Sequence, residues 1–205
     1  MNDEMSTMKA AARARTQRER ILAAAKACFV KNGFHAASMA SIAKTAAMSP
    51  GLIYRYFDNK NAIILAIMEQ QIEITRCRIR QLHASKDFAA RIVDFFDEHE
   101  ACDGNSMSMT LYLEMSAEAT RDPQIAEALR KFDTAVCSEV ANWLSRGREE
   151  GGYGLPDDIT QARALMLLCL IEGLKLRGVR ELVIDRSLLK KALDEIIALL
   201  VASPG

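Results

Sequence analysis

Between Ser38 and Lys60 the chain reads SMASIAKTAAMSPGLIYRYFDNK, and no other stretch holds as many groups able to grip a phosphate or read a base. Ser49 and Pro50 open a helix as N-cap and first-position proline, where the missing N–H costs nothing. Gly51 follows with no side chain to hold a neighbouring backbone away, so the positively polarised helix start is bare and suits a phosphate. Ile53 and Phe57 are four apart and face inward, which leaves the other faces to Leu52, Tyr54, Arg55 and Tyr56. Tyrosine hydroxyls and arginine bond phosphate oxygens, and arginine also reads guanine. Asp58 caps the next helix. Lys60 in its first turn opposes the helix dipole, an arrangement that makes sense beside a phosphate.

The elements that must position these residues are also written in the sequence. Ser38 is a good N-cap for a helix over about 39–46, with Met39, Ile42 and Ala43 inward and Ser41, Lys44 and Thr45 outward. Ala46-Ala47-Met48 makes a turn into the helix opened by Ser49. Two short helices across a tight turn are the format of a helix-turn-helix, whose second helix enters the DNA major groove. Upstream, Thr16-Gln17-Arg18-Glu19 has capping-box spacing, and Ile21, Leu22, Ala25, Cys28, Phe29 and Val30 recur at helical intervals. Asn32-Gly33 supplies a left-handed stop, so a first helix is expected over about 17–32, with Phe34 folding back as a core plug.

Residues 16–64 resemble the N-terminal domain of TetR-type transcriptional regulators. The resemblance rests on ILAAAKACFVKNGF, on the S-x-x-x-I-A-x-x-A-x-M-S-x-G core that begins at Ser38, and on the LIYRYF-x-NK ending. It implies a helical repressor that acts as a homodimer and carries a ligand-binding C-terminal domain. It implies phosphate contacts from Ser38, Tyr54, Tyr56 and Lys60, and base or backbone contacts from Ser49, Pro50, Gly51, Leu52 and Arg55. Members often carry threonine or another small polar residue where this chain has Leu52. A leucine there can touch a thymine methyl but cannot hydrogen-bond a base edge.

Net charge is zero over 205 residues, but the average hides a segregation. Residues 1–60 hold ten Lys plus Arg against four Asp plus Glu, and the remainder holds 17 against 23. A basic head on an acidic body is the footprint of a protein that meets DNA at one end. Residues 1–15, with Lys9, Arg13 and Arg15, read as a flexible basic arm that either enters the minor groove or stays solvated. The arm lacks the apolar run of a signal peptide, and nothing approaches the roughly 18 apolar residues of a membrane span. Five cysteines, odd in number and without metal-ligand spacing, fit a reduced cytoplasmic compartment; those outside Cys102 read as small core residues, and Cys102 as an exposed thiol.

The body from 61 to 205 reads as a ligand-binding and dimerisation domain. A helix without Gly or Pro runs from Asn59 to about His83, about 35 Å at 1.5 Å per residue, and is a natural lever from the DNA-reading unit. Further helices are expected from Lys86, over 106–120, over 123–149 behind Asp122-Pro123, over 158–178 and over 187–202. The last two are apolar on more than one face and so need more than one partner. Two such helices from each of two chains make a closed two-fold interface, which places Leu167, Ile171, Leu174, Leu193, Ile196, Ile197 and Leu200 in a dimer contact. A pocket for an apolar or amphipathic effector is implied by the resemblance. A surplus of soft and aromatic side chains offers its lining: Met68, Phe95, Phe96, Met107, Tyr112, Met115, Phe132, Trp143 and Met166. Glu114, Glu118 and Glu172, on otherwise apolar helices, are candidates to meet a cationic ligand.

Catalysis has no footing. His35, His83 and His99 lie on separate segments, and no G-x-S-x-G, H-E-x-x-H or phosphate-loop motif occurs. The sequence therefore describes an all-α protein of about nine helices, with a helix-turn-helix domain over 16–60. It is expected to be a non-enzymatic regulator without metal or cofactor, whose partners are a double-stranded palindromic operator, a second copy of itself and a small effector.

Overall fold

A computed structural model describes residues 2–83, 90, 108–180 and 185–202. Among the described residues the chain is all-α, with no strand. The helices are α1 (Asn2–Ala36), α2 (Met39–Thr45), α3 (Pro50–Tyr54), α4 (Lys60–His83), α5 (Met109–Ala119), α6 (Pro123–Ser145), α7 (Asp157–Val179) and α8 (Arg186–Val201), with a 3-10 turn at Arg148–Glu150. The helix expected from Lys86 lies outside the described residues, apart from Ala90.

Helix starts follow their caps. Ser38 and Ser41 form a reciprocal box at α2, and the Ser49 side chain caps α3 ahead of Pro50. Asp122 Oδ1 accepts from Gln124 N at 2.8 Å at the head of α6. The exception is α1, which starts at Asn2 rather than near residue 17. Ala10, Ala11, Ala12 and Ala14, spaced with Lys9, Arg13 and Arg15, are all strong helix formers, so the helix has no reason to wait for a cap. Thr16 lies inside it, donating to Ala12 O at 3.1 Å instead of capping. The left-handed stop falls where the sequence puts it: Gly33 has φ 75°, a conformation costly for any residue with a Cβ, and Phe34 beyond it is buried.

The chain divides into two compact units. The first comprises residues 1–69 and 110–129, so the unit around the helix-turn-helix is broader than residues 16–60. Its buried side chains include Ile21, Phe29, Phe34, Ile42, Ile53, Phe57, Ile63, Ile64, Ile67, Met68, Leu111, Met115 and Ile125. The second comprises residues 70–109 and 130–205. Its core gathers Ile79, Val136, Val140, Trp143, Leu144, Leu155, Ala164, Leu167, Leu189, Leu193 and Ile197. Arg163 ties α7 to the end of α8 by donating to the carbonyls of Leu200 and Ala202. Gly152 is required in the loop after α6, because a Cβ there would stand 2.3 Å from Arg146 O.

Two sequence expectations change here. Leu167, Leu193 and Ile197, expected in a dimer contact, are buried in the protomer's own core, while Ile171, Leu174 and Leu200 are half-buried against it. The large apolar residues of α7 and α8 that face out are Leu165 and Met166, each 58% exposed, Val179 at 43%, Leu188 at 64%, Ile196 at 38% and Leu199 at 75%. A helix apolar on more than one face does not announce which face its own protomer takes, and only Ile196 of the expected set lies on the outer one. Among the cysteines, Cys28 is buried as expected, but Cys77 and Cys169 are exposed.

In the second unit, partial burial and the Glu172 carboxylate raise the Asp133 pKa from 3.8 to about 6. The folded state therefore holds this proton more tightly than the unfolded chain does. Its contribution is fully present below about pH 3.8 and is lost as pH rises through about 6. Thermal melts of Asp133→Asn and the native chain at pH 4 and pH 7 should show the variant gaining relative stability at the higher pH. A difference that stays constant with pH would refute this reading.

Candidate nucleic-acid interface

A helix of five residues has too few internal hydrogen bonds to persist alone, so α3 is held by its surroundings. Its floor is Ile53, fully buried, and Phe57, 3% exposed. The Arg18 guanidinium lies over the Phe57 ring, 4.5 Å from its centroid. Its start is fixed by Ser49 Oγ, which accepts from Leu52 N at 3.3 Å. The turn before it passes through Ala47 at φ 50°, a left-handed conformation that an alanine adopts only at a cost. Met48 N donates to Ala43 O at 2.9 Å across that turn, and Arg20 Nη2 donates to Ala47 O at 3.1 Å from α1.

On this base the expected DNA-contact residues divide clearly. Ser38, Ser49, Pro50, Gly51, Tyr54 and Arg55 are exposed; Leu52, Tyr56 and Lys60 are half-buried. Tyr54 is 54% exposed. Among the described residues, the side chains of Tyr54, Arg55 and Tyr56 make no hydrogen bond or ion pair. A Cβ built on Gly51 would meet nothing within 4 Å, so nothing in the protomer demands glycine there. The face offered to solvent is thus a bare helix start flanked by an arginine and tyrosines, all with unused hydrogen-bonding capacity.

Lys60 is different. Its ammonium donates to Phe34 O at 2.7 Å and to His35 O at 3.3 Å, and sits 4.4 Å from the Phe34 ring centroid. Burial lowers its pKa from the usual 10.5, and the Glu118 carboxylate acts in the opposite direction. This lysine therefore satisfies the carbonyls at the end of α1, the groups a helix end leaves orphaned.

Two glutamates on α5 complete the same junction. Glu114 Oε2 accepts from Phe34 N at 3.1 Å and lies against Gly33. Glu118 Oε2 pairs with His35 Nε2 at 2.8 Å. Asn61 donates to Asp122 just beyond α5. Glu114 and Glu118, candidates for a cationic ligand from sequence, thus have partners within their own unit. Neither their role nor those of Arg18 and Arg20 is visible in local spacing, since each partner is distant in sequence. The one available signal is the left-handed glycine at 33, which leaves the Phe34 amide in need of an acceptor.

The described residues expected to line an effector pocket fall in both units. Met68 and Met115 are fully buried in the first, and Tyr112 is half-buried there. In the second, Trp143 donates its indole N–H to Gly151 O at 3.0 Å and stacks edge-on against Tyr153, while Phe132 packs on the same core. Met166 is exposed on α7. Phe95, Phe96 and Met107 lie outside the described residues.

An all-helical chain presenting a capped, unpaired second helix across a tight turn is a helix-turn-helix DNA-binding regulator. Comparison with known proteins agrees. Residues 21–67 match the family described as bacterial regulatory proteins, tetR family, and residues 88–202 match the BetI-type transcriptional repressor C-terminal family. The chain is 34% identical to the HTH-type transcriptional regulator UidR of Escherichia coli strain K12, over 84% of each protein. It is 27% identical to the HTH-type transcriptional regulator BetI of Stenotrophomonas maltophilia, over 79% of this chain and 81% of that one. Among solved structures, Salmonella enterica GusR superposes with a TM-score of 0.71 at 26% identity, covering 91% of this chain and 95% of that one. The reduced form of E. coli NemR has a TM-score of 0.69 at 23% identity, over 92% of this chain and 100% of that one, and shows the shared fold. The chain belongs to the TetR family of transcriptional regulators, which is not a family of enzymes.

The junction generates a direct expectation. Glu114→Ala leaves the Phe34 amide without its acceptor, and Lys60→Met keeps the aliphatic stem but removes the donor to two carbonyls. Each should lower unfolding stability by about 1–2 kcal/mol in chemical denaturation, whereas Tyr54→Phe should leave it unchanged. Equal stability of Lys60→Met and the native chain would show that the ammonium is not structural.

Proposed function

We propose that the protein is a cytoplasmic repressor that binds a palindromic operator as a homodimer and is released by a small apolar or amphipathic effector. The observation that carries this reading is α3, anchored by Ile53 and Phe57 while Tyr54 and Arg55 stand in solvent with no partner among the described residues. Arg55 reads or positions on the duplex, Tyr54 and Tyr56 bond phosphates, and the capped start at Ser49-Pro50-Gly51 lets the backbone approach. Leu52 contributes apolar contact to a thymine methyl. Lys60 acts mainly by holding the end of α1, so its influence on the duplex runs through the shape of the domain.

The second copy covers outward apolar residues of α7 and α8, namely Leu165, Met166, Leu188, Ile196 and Leu199. Apolar surface at helical spacing on two neighbouring elements of one core is costly in water and suits a closed two-fold contact. Two recognition helices are then held about one DNA turn apart, 34–36 Å, or at a related spacing. The effector acts on the acidic body, and α4, continuous from Lys60 to His83, carries the displacement toward the DNA-reading unit. Effector and DNA weaken each other's binding equally, by linkage. No helix among the described residues is long and apolar enough to cross a membrane.

A mobility-shift titration on a duplex selected from a random-sequence pool tests this. Arg55→Ala and Tyr54→Ala should each weaken binding at least tenfold, equivalent to about 1.4 kcal/mol. Leu199→Glu combined with Ile196→Glu should give a single-chain mass in solution and weaken binding further. Sequence-independent binding that neither α3 variant alters would overturn the proposal.

A further inference from the structure

Near its start α1 is exposed on every face. Every residue from Met5 to Thr16 is exposed, and from Met5 to Arg18 each charged residue is a cation. These charges are not spread evenly around the helix. At 3.6 residues per turn, Lys9, Arg13 and Arg20 fall within about 40° of one another, and Thr16 lies beside them. Arg15 and Arg18 point elsewhere: Arg15 pairs with Glu19 at 2.9 Å, and Arg18 covers Phe57.

The stripe has a fixed direction because Arg20 is anchored. Its guanidinium donates to Ala47 O, two residues before the cap of α3. The face carrying Arg20 is therefore the face of α1 that borders the turn into the recognition helix. Lys9 and Arg13 continue that face outward, with Lys9 about 17 Å from Arg20 along the axis. A duplex engaged by α3 continues past the turn as a surface dense in negative charge, about one charge per 1.7 Å.

We propose that Lys9 and Arg13 form a phosphate-binding stripe that extends the DNA footprint beyond the recognition helix, contributing affinity and salt dependence but no sequence preference. The occupant is double-stranded DNA because the charge is complementary and the stripe is continuous with the turn that presents α3. This rests on the reading of α3 as the DNA-probing element. Helical order also distinguishes the stripe from a solvated tail: Lys9 and Arg13, one turn apart, meet the backbone together with their spacing already set.

The test is the double variant Lys9→Ala/Arg13→Ala, which retains helix propensity, with Arg15→Ala as the off-face control. Affinity is measured against salt on two probes, a duplex selected from a random pool and poly(dI-dC). The double variant should show a log–log slope shallower by about 1.8, from about 0.9 for each phosphate that is no longer neutralised. It should bind at least tenfold more weakly at low salt on both probes, with their affinity ratio preserved within twofold. Arg15→Ala should leave the slope within about 0.3 of the native value.

An unchanged slope on both probes overturns the proposal, as does an Arg15→Ala effect equal to that of the double variant, which would reduce the stripe to net charge. Loss of binding to anionic phospholipid vesicles with unaltered DNA slopes would reassign the stripe to a lipid surface and likewise overturn it. If the native chain fails to prefer the selected duplex, the reading of α3 fails by itself. The slope on poly(dI-dC) then still decides the stripe.

Discussion

The end of α1 is where the first unit is closed, and α3 lies in the segment that runs from that closure to α4. Gly33 turns the chain left-handed, which drives Phe34 into the core and leaves the carbonyls of Phe34 and His35 and the Phe34 amide without helical partners. Lys60 satisfies the two carbonyls, Glu114 takes the amide, and Glu118 takes the His35 ring. Three segments far apart in sequence are thereby pinned to one point: the end of α1, the start of α4 and the length of α5. The short α3 lies in the loop between the first two and is too brief to hold itself. It is held by the burial of Ile53 and Phe57 and by the two arginines that reach over from α1.

This arrangement separates reading from holding. The side chains that hold the domain, Lys60, Glu114, Arg18 and Arg20, spend their charge internally. Those with capacity left, Tyr54, Arg55 and Tyr56, lie on or beside α3. Polar groups whose hydrogen bonds are already made add little to binding a phosphate, whereas unpaired donors face only modest desolvation when a phosphate arrives. The α5 glutamates also mean that a part of the chain remote in sequence from the helix-turn-helix is bonded to the end of α1 in the same unit.

Much of this was legible in the sequence, and the failures share a physical cause. Caps are local, so Ser38, Ser49-Pro50 and Asp122-Pro123 mark their helices correctly, and Gly33 marks its stop. The Thr16 box misleads because a cap signals a possible start without forbidding a longer helix, and the alanine-rich arm propagates backward past it. Glu114, Glu118, Arg18 and Arg20 are unreadable in role because their partners lie far along the chain. In α7 and α8 the apolar residues cover more than one face, and periodicity cannot say which of them the protomer buries. Leu167, Leu193 and Ile197 prove internal, while Leu165, Leu188 and Leu199 stay outside. A first-turn lysine opposes its own helix dipole, which is why Lys60 reads as a phosphate ligand; the structure sets its ammonium against the carbonyl end of another helix, where the sign is favourable.

If α3 is the element that meets DNA, the base beneath it is one that DNA does not touch. Backbone amide hydrogen exchange, with and without a saturating selected duplex, tests it most directly. Slowed exchange is expected over Gly51–Phe57 and at the start of α2, with the amides of α8 unchanged. Saturation of the protein with no slowing between Ser49 and Phe57, and protection confined to another segment, would contradict it.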